Sequence, residues 1–125
     1  MSNYIDIYTR EQAIKDDVLV DVTEMAKEAG FVIPTCITAS VNVLLKENAG
    51  YMHQDYDGML WDILWILYCN VKTVKGKTDT INFEVIIHKK VHTSKTDKTE
   101  KFKAVLSANW PDHKPVLTIM LKNED

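Results

Sequence analysis

At 125 residues and 14.4 kDa, with 46% hydrophobic and 26% charged residues, the chain has the size and composition of one globular domain spanning 1–125. That composition excludes a wholly disordered tail, and the most apolar stretch, Met59 to Cys69, is interrupted by Asp62 and too short for a bilayer crossing. The net charge of −3 conceals a polarity: residues 1–70 carry four Lys/Arg and eleven Asp/Glu, and residues 71–125 carry eleven Lys and seven Asp/Glu, so −7 is followed by +4.

Thr9-Arg10-Glu11-Gln12 fits a capping box and predicts a short helix to about Lys15. Val18 to Val22 is β-branched and short, a candidate extra strand, and Thr23 then offers a cap for a helix ended at Ala29 by Gly30. Pro34 biases Ile33 towards extended backbone, and Thr35 is read as the cap of a longer helix carrying Ile37, Val41, Leu44 and Leu45. Tyr51 to Gly58 reads as a polar loop. From about Asp57, Leu60, Trp61, Ile63, Leu64, Trp65, Ile66, Leu67 and Tyr68 leave almost no polar face, which predicts a central helix covered on several sides.

After Asn70 the period changes from helical to alternating. Ile81, Phe83, Val85 and Ile87 predict a half-buried strand, Thr93 to Glu100 a lysine-rich hairpin loop, and Phe102, Ala104 and Leu106 the returning strand. Asn109-Trp110-Pro111-Asp112 marks a turn, and Pro115 opens a last strand over Val116 to Leu121. The expected architecture is α+β, N-terminal helices packed on a three-stranded antiparallel meander, with residues 18–22 as the candidate additional strand.

The chemistry-bearing residues form no recognisable catalytic motif, and the chain is not expected to be an enzyme. Cys36 and Cys69 lack paired spacing and are read as buried thiols in a reducing cytoplasm; Met1-Ser2-Asn3 opens no secretory signal. His53 to Gly58 resembles the opening of a calcium loop, but its twelfth position is Leu64 where a bidentate glutamate is required, so Asp55 and Asp57 read as helix caps. No cofactor is expected; a structural zinc drawn from His53, Cys69, His88, His92 or His113 is left open. On one strand His88 and His92 would stand about 13 Å apart, too far to share one ion.

Two partner surfaces remain. Lys72, Lys75, Lys77, Lys89, Lys90, Lys95, Lys98, Lys101 and Lys103 could meet phosphates, yet no arginine follows Arg10 and few aromatics lie among them, so nucleic acid is the less favoured partner. Asp16, Asp17, Asp21, Glu24 and Glu28 fall within thirteen residues and could occupy a Lys/Arg groove that otherwise holds phosphates.

Ile7 to Ile14, Asp16, Val18 to Val22, Glu28-Ala29-Gly30-Phe31, Gly58 to Trp65 and Pro115 to Leu121 together resemble a family of small uncharacterised proteins encoded on phages, plasmids and other mobile elements. The segment from Asn109 to Lys114 departs from that family's glycine-rich, acidic turn. The resemblance implies genomic context rather than chemistry: a cytoplasmic accessory protein that inhibits a host defence protein, such as a CRISPR nuclease, by contact through the acidic residues. A nucleic-acid-binding accessory protein and a metal-stabilised interaction module are the alternatives.

Overall fold

The computed structural model describes residues 9–74, 76, 78–90, 99–109 and 112–124. Its elements are α1 (Arg10–Lys15), β1 (Leu19–Asp21), α2 (Thr23–Ala29), β2 (Thr35–Thr38), α3 (Ala39–Asn48), a 3-10 turn (Tyr51–His53), α4 (Tyr56–Thr73), β3 (Thr80–Ile86), β4 (Thr99–Ala108) and β5 (Pro115–Leu121). The strands form one sheet in the order β1-β2-β5-β4-β3, antiparallel throughout except where β2 runs parallel to β5. The α+β class and the β3-β4-β5 meander agree with the sequence. The sheet itself is mixed and five-stranded, which corrects the expected three antiparallel strands.

The correction comes from β2. Thr35, Cys36 and Ile37 are all buried, so the strand shows none of the alternation by which a half-buried strand announces itself. Thr35, expected to cap a helix, instead sits in the sheet opposite Leu117, its backbone N–H donating to Thr23 Oγ1 at 3.0 Å. The cap of α3 is Thr38, whose hydroxyl accepts from the Val41 N–H. β1 then pairs with β2 and becomes one edge of the sheet.

Strand alternation divides the sheet into two faces. On one, Val20, Ile37, Ile119, Ala104 and Ile81 lie in register across all five strands, with Phe83 stacked on Phe102 at 5.6 Å in the neighbouring row. Ala26 and Ala29 of α2, Val41 and Leu45 of α3, and Met59, Leu60, Ile63, Leu64 and Leu67 of α4 complete this core. Leu106, expected inside, is 41% exposed because it lies near the end of β4.

On the other face α1 covers Cys36. The capping box forms as expected, Gln12 N–H donating to Thr9 Oγ1 and Thr9 N–H to Gln12 Oε1. Arg10 reaches the sheet, donating to Thr118 Oγ1 at 2.9 Å and to the Leu117 carbonyl at 2.7 Å. Burial pushes the Cys36 thiol above its ordinary pKa, a shift that the Arg10 charge opposes.

The end of α3 and the chain before α4 are tied to the segment after β3 by two amides. Gln54 donates to the His88 carbonyl and accepts from the His88 N–H, as a neighbouring strand would, while buried Asn48 accepts from the Lys90 N–H at 2.8 Å. These bonds bracket Met52 and His53, which hold positive φ of 54° and 61°. Such backbone costs on the order of 1–3 kcal/mol per residue, and the surrounding bonds offset it.

Candidate interaction surfaces

The five acidic residues singled out in the sequence are all exposed, but they do not share one flat face. Asp16 caps α1 and Asp17 follows it with φ 59°, a conformation aspartate tolerates better than most residues. Both therefore belong to the α1 side of the sheet. Glu24 and Glu28 stand one turn apart on α2, on the core side, and Asp21 ends β1 between the two layers. The result is a carboxylate rim straddling the β1 edge.

Within that rim the roles differ. Asp21 Oδ1 accepts from the Thr23 N–H and hydroxyl, so its charge also organises the entry to α2. Asp21 and Glu24 come together on a concavity of about 300 Å³ shared with Met25, Tyr56 and Leu60, and Asp16, Asp17 and Glu28 lie outside its lining. From residue 9 to 30 the chain carries six carboxylates against Arg10, Lys15 and Lys27, and Arg10 is directed into the sheet.

A second surface was not anticipated. α4 buries Met59, Leu60, Ile63, Leu64 and Leu67, and a stripe along the flank of the same helix carries exposed Asp57, half-buried Trp61, exposed Trp65, half-buried Tyr68 and exposed Lys72. The rings form a continuous ladder: Trp61 stacks on Trp65 at 6.1 Å and 8°, and Trp65 on Tyr68 at 5.9 Å and 25°. Phe31 meets the edge of Tyr68 at 5.5 Å, and the Lys72 ammonium lies 4.8 Å from the centre of that ring.

Trp65 is 46% exposed, Val71 40% and Val32, beside Phe31, 92%. The helix is covered by the sheet, α2 and α3, as its composition suggested, and is open to solvent along the strip that holds Trp65. Its spacing of 4, 4, 3 and 4 residues from Asp57 to Lys72 was present in the sequence, but the neighbouring aliphatics masked it. An apolar cleft of about 220 Å³ adjoins the ladder at Phe31 and is walled by Leu67, Val71, Ile81, Leu106 and Leu117.

The metal-ligating types are scattered by the fold. His53, Asp55, Asp62 and His88 line one open cleft of about 440 Å³, yet among the described residues no three of His, Cys, Asp or Glu converge as a metal ion requires. Asp55 is a helix cap, accepting from the Gly58 N–H at 2.7 Å. Cys36 is buried, as expected, within a strand, whereas Cys69 is exposed on α4, which corrects the expectation of a buried thiol there. His113 stands in the turn before β5, where Asp112 accepts from the Lys114 N–H and the Asn109 amide; these bonds hold the Asp112 carboxyl below its ordinary pKa.

Of the basic residues, Lys89 pairs with Glu100 at 3.4 Å and Lys103 donates to the Glu124 carbonyl. Lys90 and Lys101 are exposed. Lys75, Lys77, Lys95, Lys98 and His92, with most of the expected hairpin loop, lie outside the described residues, as do Asp6, Trp110 and Pro111. Among the described residues no helix is long and apolar enough to cross a membrane. No family model, curated protein or solved structure matches the chain.

Proposed function

We propose that the chain is a non-enzymatic binding protein that inhibits a nucleic-acid-targeting host defence, as anti-CRISPR proteins do, through the carboxylate rim on the β1 edge. The observation that carries the reading is the rim itself: exposed carboxylates project from both layers around one edge, where the facing cations are few. An edge that is narrow and negative on both sides suits a cleft lined by Lys and Arg better than it suits a flat surface. Charge of that kind accelerates encounter and competes with phosphates for the same cations.

The test uses RNA-guided nucleases as probes. The chain is expected to co-elute with its target and block DNA loading, with affinity that falls as salt rises. Asp17→Lys with Glu24→Lys and Glu28→Lys should fold and lose inhibition. Asp21 is left intact because its carboxylate accepts from the Thr23 N–H at the start of α2. Full inhibition by that triple variant, without salt dependence, would overturn the reading. A low-salt mobility shift on nucleic acid alone, unaffected by the triple variant, would favour the nucleic-acid-binding alternative instead.

A further inference from the structure

We infer that the outer side of α4 is a homodimer interface, in which a second copy of this chain packs its own α4 antiparallel across a two-fold axis at Trp65. Three features carry this beyond the rim and independently of it. The first is an aromatic ladder whose middle ring, Trp65, is exposed and whose outer rings, Trp61 and Tyr68, are half-buried, on a flank of the helix where a monomer places polar residues. The second is its polarity: Asp57 lies at the N-terminal end and Lys72 at the C-terminal end.

The third is the spacing. A two-fold contact pairs residue i of one copy with j of the other and j with i, so a stripe that meets its own copy must be complementary to itself in reverse. With Trp65 at the axis, Trp61 of one copy faces Tyr68 of the second, and Asp57 of one falls within a turn of Lys72 of the second. The Asp57–Lys72 pair then forms twice, once at each end, with the rings buried between. The stripe from Asp57 to Lys72 rises ~22 Å, nearly the full length of the helix, and the two helix dipoles run in opposite directions. Exposed Val71, which lines the cleft beside Phe31, extends the apolar surface.

Charge complementarity selects a second copy over other occupants. A nucleic-acid strand stacking on the rings would meet Asp57 and Asp62 at one end of the helix, whereas a reversed copy brings the Lys72 ammonium to Asp57.

Sedimentation of the full chain, followed as a function of concentration with circular dichroism as the check on folding, decides the matter. The wild type should be dimeric at on the order of 100 μM and Trp65→Glu monomeric with an unchanged helical spectrum. Asp57→Lys and Lys72→Asp should each weaken the dimer about tenfold or more, because each sets like charges together at both ends. The double variant Asp57→Lys with Lys72→Asp should restore it.

That last arm separates dimerisation from an effect on the helix alone. Both substitutions oppose the helix dipole, so a purely intrachain role makes the double variant the worst of the three, whereas the interface makes it the best. A wild type that remains monomeric overturns the proposal, as does a double variant weaker than either single one. A monomer whose tryptophan fluorescence is quenched by a single-stranded oligonucleotide would also overturn it and assign the ladder to base stacking.

Discussion

The two sides of α4 are built from the same kind of sequence and do different things. Met59, Leu60, Ile63, Leu64 and Leu67 disappear into the core, while Trp61, Trp65 and Tyr68, one or two positions away, stack on each other at the surface. The inward side is aliphatic and packs by shape against the sheet and α2. The other flank is aromatic: its rings contact one another, Phe31 and Lys72, and Trp61 also packs against the edge of the core. Hydrophobicity alone does not distinguish core from contact surface; the kind of apolar residue and its spacing do.

Leu64→Ala should break the inward side most severely. The side chain is fully buried, and its removal leaves a cavity among α4, the sheet and α2, costing about 2–5 kcal/mol in a urea melt. A loss under about 1 kcal/mol would mean the core relaxes around the gap.

Gly30→Ala tests the place where the outward side meets the fold. Gly30 has φ +119°, and a Cβ added there would lie 2.7 Å from two carbons of the Tyr68 ring. Backbone strain and displacement of Tyr68 should together cost about 1–3 kcal/mol, with a change in the near-ultraviolet spectrum as the ladder loses its lower rung. Such a change would be absent if Tyr68 were already free to move.

The two cysteines give the comparison without any mutation. Iodoacetamide should modify Cys69 in the folded protein and Cys36 only after denaturation, as read by peptide mass spectrometry. Burial raises the Cys36 pKa, so the stability this thiol contributes is present below the ordinary thiol range and is lost as pH rises through the raised folded value. Unfolding monitored at increasingly alkaline pH should show that decline, and Cys36→Ser or Cys36→Ala should remove it.

What could be read from the sequence follows the same division between one-sided and two-sided burial. The capping box at Thr9, the end of α2 at Gly30 and the alternation of Phe83, Val85 and Ile87 are local signals, and each appears in the fold where the residues place it. β2 was illegible because both of its faces are covered, leaving Thr35 to Thr38 with the look of a helix start. The acidic residues were visible as a cluster in sequence, but their distribution around an edge depends on α1 and α2 lying on opposite faces of the sheet. That depends on β1 pairing with β2, a contact no short window contains. The ladder needed only helical spacing, and was hidden because Leu60, Ile63 and Leu64 made the whole segment resemble core.

Trp65→Ala should have the smallest effect on the folded monomer, and for that reason it tests the comparison most directly. Trp65 is nearly half exposed, and its contacts are the two neighbouring rings of the same helix. Alanine also favours helix more than tryptophan does, by a few tenths of a kcal/mol, which offsets part of the lost stacking. Stability measured at low concentration should therefore shift by no more than about 0.5 kcal/mol. If self-association is driven by this surface, the same substitution will lower the wild type's concentration-dependent melting temperature while leaving its dilute value in place, because a partner that binds only the folded chain stabilises it by mass action. A monomer destabilised as strongly as by Leu64→Ala would place Trp65 with the core and erase the distinction between the two sides of α4.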